Sequence, residues 1–133
     1  VKQLGSQLVN GDTLAVLVTF KNGGHALLSA ILATPFEGRF AVYCTRGWVE
    51  VRDKTHPEAS EGWTLTTAFA GGRREVKEFP PAPNVLNNLE AFADAAEGRA
   101  PYPVSQSQMI ANISALEAVF KSAATGAIVD VES

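Results

Sequence analysis

The residues of this 133-residue chain that could do chemistry are few and widely spaced. His25 and His56 are the two histidines, and neither has a second ligand type at i+3 or i+4. Zinc sites draw three or four ligands from Cys, His and carboxylates, so this spacing predicts solvated histidines rather than a metal centre. Cys44 is the single cysteine. It excludes an intrachain disulfide, and its place in an apolar strand predicts an inert thiol. No G-x-S-x-G occurs, and Ser29 and Ser60 have no recognisable base nearby. The acid pairs Asp94/Glu97 and Glu58/Glu61 read as solubilising groups on a helix end and a loop, with no assigned catalytic role. Trp48 and Trp63 have the chemistry to stack on a sugar ring, and equally to fill core or interface volume.

Phosphate chemistry is equally sparse. Neither G-x-G-x-x-G nor G-x-x-x-x-G-K-[ST] is present, and the pairs Gly23-Gly24 and Gly71-Gly72 fall between strands, as turns do. Net charge is −3, and the basic cluster Arg73-Arg74 with Lys77 is interrupted by Glu75 and Glu78. A nucleic-acid binder needs concentrated positive charge, so no nucleic-acid partner is expected. No apolar run reaches the roughly 18 residues of a membrane span, and no membrane association is expected. The lone cysteine and the lack of an export pattern suggest a cytoplasmic protein. A first residue other than Met hints at a fragment of a longer chain.

The elements that must position these residues can be read from pattern. A composition of 46% hydrophobic and 19% charged residues suits one globular domain over 1–133. Thr13 to Phe20 is rich in β-branched residues, and the following KNGG supplies the positive φ angles of a tight reversal. His25 to Ala33 then runs back. Arg39 to Thr45 and Trp48 to Arg52 flank a turn at Arg46-Gly47, while Trp63 to Phe69 and Arg73 to Phe79 flank a second Gly-Gly reversal. Six consecutive strands are therefore expected as neighbours, with Gln3 to Val9 as an optional seventh. Pro80, Pro81 and Pro83 end the strand region. Asn84, as N-cap, opens a helix with apolar positions at Val85, Leu89, Phe92 and Ala96 and a stop at Gly98. Ser105 and Gln108 form a capping box ahead of a longer helix, Gln106 to Ala124. Ile128 to Val131 is expected to close the chain as a short edge strand.

The expected fold class is α+β: an open, predominantly antiparallel sheet with two helices on one face. Several strands are apolar on both sides. Along the second strand, Leu27, Ser29 and Ile31 alternate with Leu28, Ala30 and Leu32. Two helices cannot cover both faces, so the second face is expected to meet another chain, as a symmetric homo-oligomer.

The order of these segments resembles the C-terminal domain of the glucose–fructose oxidoreductase, inositol dehydrogenase and MocA oxidoreductase family. GDTLAVLVTFKNGGHALLSA is similar to its strand–NG–strand opening, and AVYCTRGWVEV to its G-T-x-G-x-[LIV] hairpin, with Cys44 where glycine is common. The last 45 residues resemble its closing pattern: a helix ending F-A-D-A-x-x-G, a proline link, a helix carrying L-E-A-x-x-x-S-A-x-T-G, then a short strand. The resemblance implies a substrate-side and oligomerisation domain of an NAD(P)-dependent enzyme acting on a sugar, polyol or related hydroxyl compound. It also implies an N-terminal nucleotide-binding domain as a partner in the full-length protein. The glycine fingerprint, the lysine of an E-K-P motif and the family's Asp and His are absent from 1–133. No catalytic residue carries over, no cofactor is expected to bind this chain, and NAD or NADP belongs to the full-length enzyme. His25 and Arg39, near strand ends, are the candidates for facing substrate. The alternative is a free-standing dimeric α+β binding module without enzyme activity.

Overall fold

A computed structural model describes residues 11–132 of the chain. Six antiparallel strands and two helices make an α+β fold. The strands are β1 (Thr13–Thr19), β2 (His25–Ile31), β3 (Arg39–Cys44), β4 (Gly47–Asp53), β5 (Trp63–Phe69) and β6 (Glu75–Phe79). The helices are α1 (Asn84–Ala96) and α2 (Gln106–Thr125). The optional strand at Gln3 to Val9 lies outside the described residues.

The strands divide into two open sheets, β1-β2 and β3-β4-β5-β6, rather than one run of six. The break follows from the segment after β2. Residues 32–35 turn, and Pro35 offers no ladder donor, so the ladder ends after the Leu32 amide. The same division appears in the compact units. One unit runs up to Ala33 and resumes from Asn87, and the other is Thr34–Leu86.

In the first unit, β1 and β2 pair in full register from Thr13↔Ile31 to Thr19↔His25. The KNGG reversal is built as its composition requires. Gly23 has φ +85°, and the Asn22 side chain accepts from the Gly24 amide at 3.0 Å. The far end is clasped by the Leu32 amide donating to the carbonyl of buried Asp12 at 2.8 Å. Helix α1 opens at Asn84 itself and is followed by Gly98 at φ +72°. Helix α2 carries the complete capping box between Ser105 and Gln108 and ends at left-handed Gly126, whose amide donates to Ser122. Its closing turns, at Val119, Ser122 and Ala123, line a cleft along Leu14 to Leu17 of β1.

The expected strand at Ile128 to Val131 does not form. The segment pairs with no strand among the described residues, and Ile128 stands fully in solvent. β-branched composition alone cannot make a strand without a ladder partner to satisfy its amides.

The second unit is a four-stranded meander. Its loop between β4 and β5 contains a 3-10 turn at Pro57–Ala59, capped by His56, whose Nδ1 accepts from the Glu58 amide at 3.3 Å. This unit holds a single layer of strands. A stable domain packs at least two layers around its apolar side chains, and among the described residues no apolar side chain is fully buried.

Candidate functional site

Register places every second residue of β3–β6 on one side of the sheet. Arg39, Arg52, Thr64 and Glu78 form one cross-strand row. Ala41, Glu50, Thr66 and Val76 form the next. Tyr43, Trp48 and Ala68 form the third. Arg74, just before β6, completes that third row, because its guanidinium sits 5.2 Å from the Trp48 ring centre. This side is polar and aromatic. The opposite side carries Phe40, Val42, Val49, Val51, Leu65 and Phe69, with Lys77 and Glu75 on β6. Phe40 and Phe69 are 69% and 64% exposed, so this apolar side lies open within its own unit.

The polar side is organised around Glu50, whose side chain is 17% exposed. Arg52 Nε donates to Glu50 Oε1 at 2.9 Å, and Arg39 Nε lies 3.7 Å from Oε2. Arg52 also donates to Glu37. The hydrogen bond from Arg52 holds the Glu50 carboxyl below its usual range; partial burial opposes this, and the charges of Arg52, Arg39 and Arg74 add to the lowering. The same contacts, led by the Glu50 bond, make Arg52 still harder to deprotonate. On the β6 side, Lys54 Nζ lies 2.6 Å from Glu78 Oε2, and the Thr64 hydroxyl donates to the same carboxylate at 3.1 Å. The Lys54 hydrogen bond is the main cause of Glu78's lowered pKa. Tyr43 and Trp48 pair with ring centres 6.2 Å apart and a 39° tilt. With Phe69 and Ala70 they wall a shallow cleft of about 340 Å³ at the β3–β4 turn.

Chemically, this face can bind but has no nucleophile set against a base. Guanidiniums and threonine hydroxyls hold anionic or hydroxyl groups, and the Tyr43–Trp48 pair offers apolar ring surface. Of the two candidate substrate residues, Arg39 lies on this face. His25 instead opens β2 opposite Thr19, exposed, in the other compact unit. Trp63 pairs with Asp53 and Phe79 at the end of the apolar side. Cys44 does not sit in a core: it is exposed, on the side of the sheet that its own unit leaves open, opposite Gly47. Among the described residues, no group of three or more His, Cys, Asp or Glu side chains gathers. No helix among them is long and apolar enough to cross a membrane.

Glu50 and Arg52 were not singled out from sequence, and Arg74 was read only as part of an interrupted basic cluster. Their signal lay in the alternation of WVEVR, where Trp48, Glu50 and Arg52 must share a side once the segment is extended. Compared with known proteins, the chain matches no family model, no curated protein and no solved structure.

Proposed function

We propose that this chain is the substrate-side and association domain of an NAD(P)-dependent oxidoreductase acting on a sugar, polyol or related hydroxyl compound, and that it is not catalytic by itself. The observation that carries the reading is the β3–β6 layer. It has one largely apolar side that its own unit leaves open, and one side ordered by arginine, glutamate and a tilted pair of aromatic rings. A layer of that kind works as a wall between two neighbours. Its apolar side is suited to a covering layer, and its polar side to hydroxyl-rich or charged groups. The resemblance in the closing 45 residues supplies the reaction class, with the dinucleotide held by an N-terminal domain. The same reading puts the chain in the cytoplasm, where the exposed Cys44 thiol stays reduced.

The deciding experiment is to sequence the gene upstream of the Val1 codon. The expected result is a preceding domain with G-x-G-x-x-G and E-K-P. A stop codon and start signal immediately before Val1 would remove the oxidoreductase assignment. Calorimetry on the 133-residue chain is expected to give no saturable heat with NAD or NADP, and clear saturation would contradict a cofactor-free role.

A further inference from the structure

Charge on the polar side of β3–β6 does not close on itself. Arg52 is held by Glu50 and Glu37, and Lys54 by Glu78. Arg39 shares Glu50 at 3.7 Å. With Arg74, four cations meet three carboxylates, and Arg74 is the one left over. Among the described residues it makes no ion pair and no hydrogen bond; its partner is the Trp48 ring, whose centre lies 5.2 Å from the guanidinium carbon. A cation over a ring is held by the ring's quadrupole rather than by its donors. The five N–H donors of Arg74 therefore stay available. A guanidinium positioned in this way, with its fork of donors open, suits a carboxylate, two N–H groups to two oxygens.

The neighbours of Arg74 define the rest of the ligand. Arg74 reaches across the small side chain of Ala68 to Trp48, and Tyr43, 68% exposed, continues the ring surface at a 39° tilt. The two rings wall the cleft of about 340 Å³, at the small end of ligand sites, which run from roughly 300 to 1,000 Å³. Ring surface of this kind takes the C–H faces of a small hydroxylated carbon skeleton. The charge it carries should be single. Arg39 stands on the opposite edge strand and four residues from Tyr43 along β3, roughly 13 Å at about 3.3 Å per residue. One guanidinium therefore meets the anion. Glu50, in the row between them, repels a second negative charge, which disfavours a phosphate ester.

We propose that the polar side of β3–β6 carries a site for a sugar acid, with the hydroxylated skeleton against Tyr43 and Trp48 and the carboxylate held by Arg74. The proposal rests on the reading of that side as a substrate wall. It narrows the substrate from any sugar, polyol or related hydroxyl compound to one that bears a single carboxylate.

The test titrates the full 133-residue chain with glucuronate, glucose and glucose-6-phosphate and follows the indole N–H resonances of Trp48 and Trp63. Glucuronate is expected to shift the Trp48 signal saturably, while Trp63, on the other side of the sheet, stays still. Glucose should bind at least about tenfold more weakly, and Arg74→Gln should weaken glucuronate by a similar factor. Arg74→Lys should fall between, because an ammonium keeps the charge and loses the fork. Arg74 is exposed, and an unchanged Trp63 signal checks that each variant is folded. No saturable shift with glucuronate, equally tight binding of glucose or glucose-6-phosphate, or undiminished binding by Arg74→Gln would overturn the proposal. Those outcomes leave the oxidoreductase reading standing with another substrate, whereas an upstream sequence without a nucleotide-binding domain removes that reading and leaves the sugar-acid site intact.

Discussion

The β1-β2 hairpin and the β3–β6 sheet are made by the same device, strands joined by glycine turns, yet they present opposite kinds of surface. In the hairpin, Leu14, Val16, Val18, Ala26, Leu28 and Ala30 make one side wholly apolar, while the other mixes Ala15, Leu17, Leu27 and Ile31 with Thr13, Thr19, His25 and Ser29. Large apolar residues stand on both sides. In the four-stranded sheet the sides differ more, with Phe40, Val42, Val49, Val51, Leu65 and Phe69 on one, interrupted by Thr67, Glu75 and Lys77, and Arg39, Glu50, Arg52, Thr64, Thr66 and Glu78 on the other. A strand pair that is apolar on both sides needs cover on both. A sheet with one charged side can leave that side to water or to a partner that matches its charges. The apolar character expected on both sides of several strands is therefore strongest in the hairpin.

Two glycines, one from each region, differ in how tightly they are held, and this gives the largest expected effect. Gly62 has φ +101°, and a Cβ there would strike the backbone carbonyl of Phe79. Gly62→Ala is expected to destabilise the four-stranded sheet by about 3 kcal/mol, from backbone strain and steric conflict together. Urea unfolding followed by fluorescence of Trp48 and Trp63, both in that sheet, measures it. Gly23, at the hairpin turn, has φ +85° with open space around its Cβ position. Gly23→Ala should cost only the conformational preference, about 1 kcal/mol, in urea unfolding followed by circular dichroism. Equal losses at the two positions would break the comparison.

Helix α2 provides a reference of similar size. Ser105→Ala removes the side-chain acceptor of its capping box and should cost about 1 kcal/mol, seen as lost ellipticity at the helix band during thermal unfolding. Acid should act on the sheet more weakly. Glu50 and Glu78 are held below the ordinary carboxylate range by Arg52 and Lys54. A carboxyl whose folded pKa is lowered contributes stability above its unfolded pKa, and that contribution disappears as pH falls through the folded value. The urea midpoint of the sheet should therefore fall below about pH 4.3. Arg52→Gln with Lys54→Gln should flatten that dependence, and an unchanged acid profile would remove these pairs from the account.

The smallest effect is expected on the open side of the hairpin. Leu17 and Leu27 stand directly opposite one another at 70% and 77% exposure. Replacing both with threonine should change stability by less than about 0.5 kcal/mol while reducing binding of an apolar dye. A large loss of stability would mean that this side is packed in solution.

Local chemistry made much of the fold legible. Asn22-Gly23 announced the reversal after β1, the proline run announced the end of β6, and Ser105 with Gln108 announced the start of α2. Each acts within a few residues, so no distant contact was needed to read it. The site was less legible. Arg39 was among the candidates, but its neighbours Glu50 and Arg52 come from the next strand and Arg74 from beyond β5. Their meeting depends on registers counted across two turns. Ile128 to Val131 failed for the converse reason: its composition suits a strand, and no edge receives it.

By itself, then, the amino-acid order determined where strands and helices begin and stop, because caps, turn glycines and prolines act through bonds and angles of nearby residues. Only the tertiary structure decided that the strands separate into two sheets, that Cys44 lies at an exposed edge, and that Arg39, Glu50, Trp48 and Arg74 share one side. Those outcomes depend on which backbone amides find partners far along the chain, and pairing of that kind is settled by the fold as a whole.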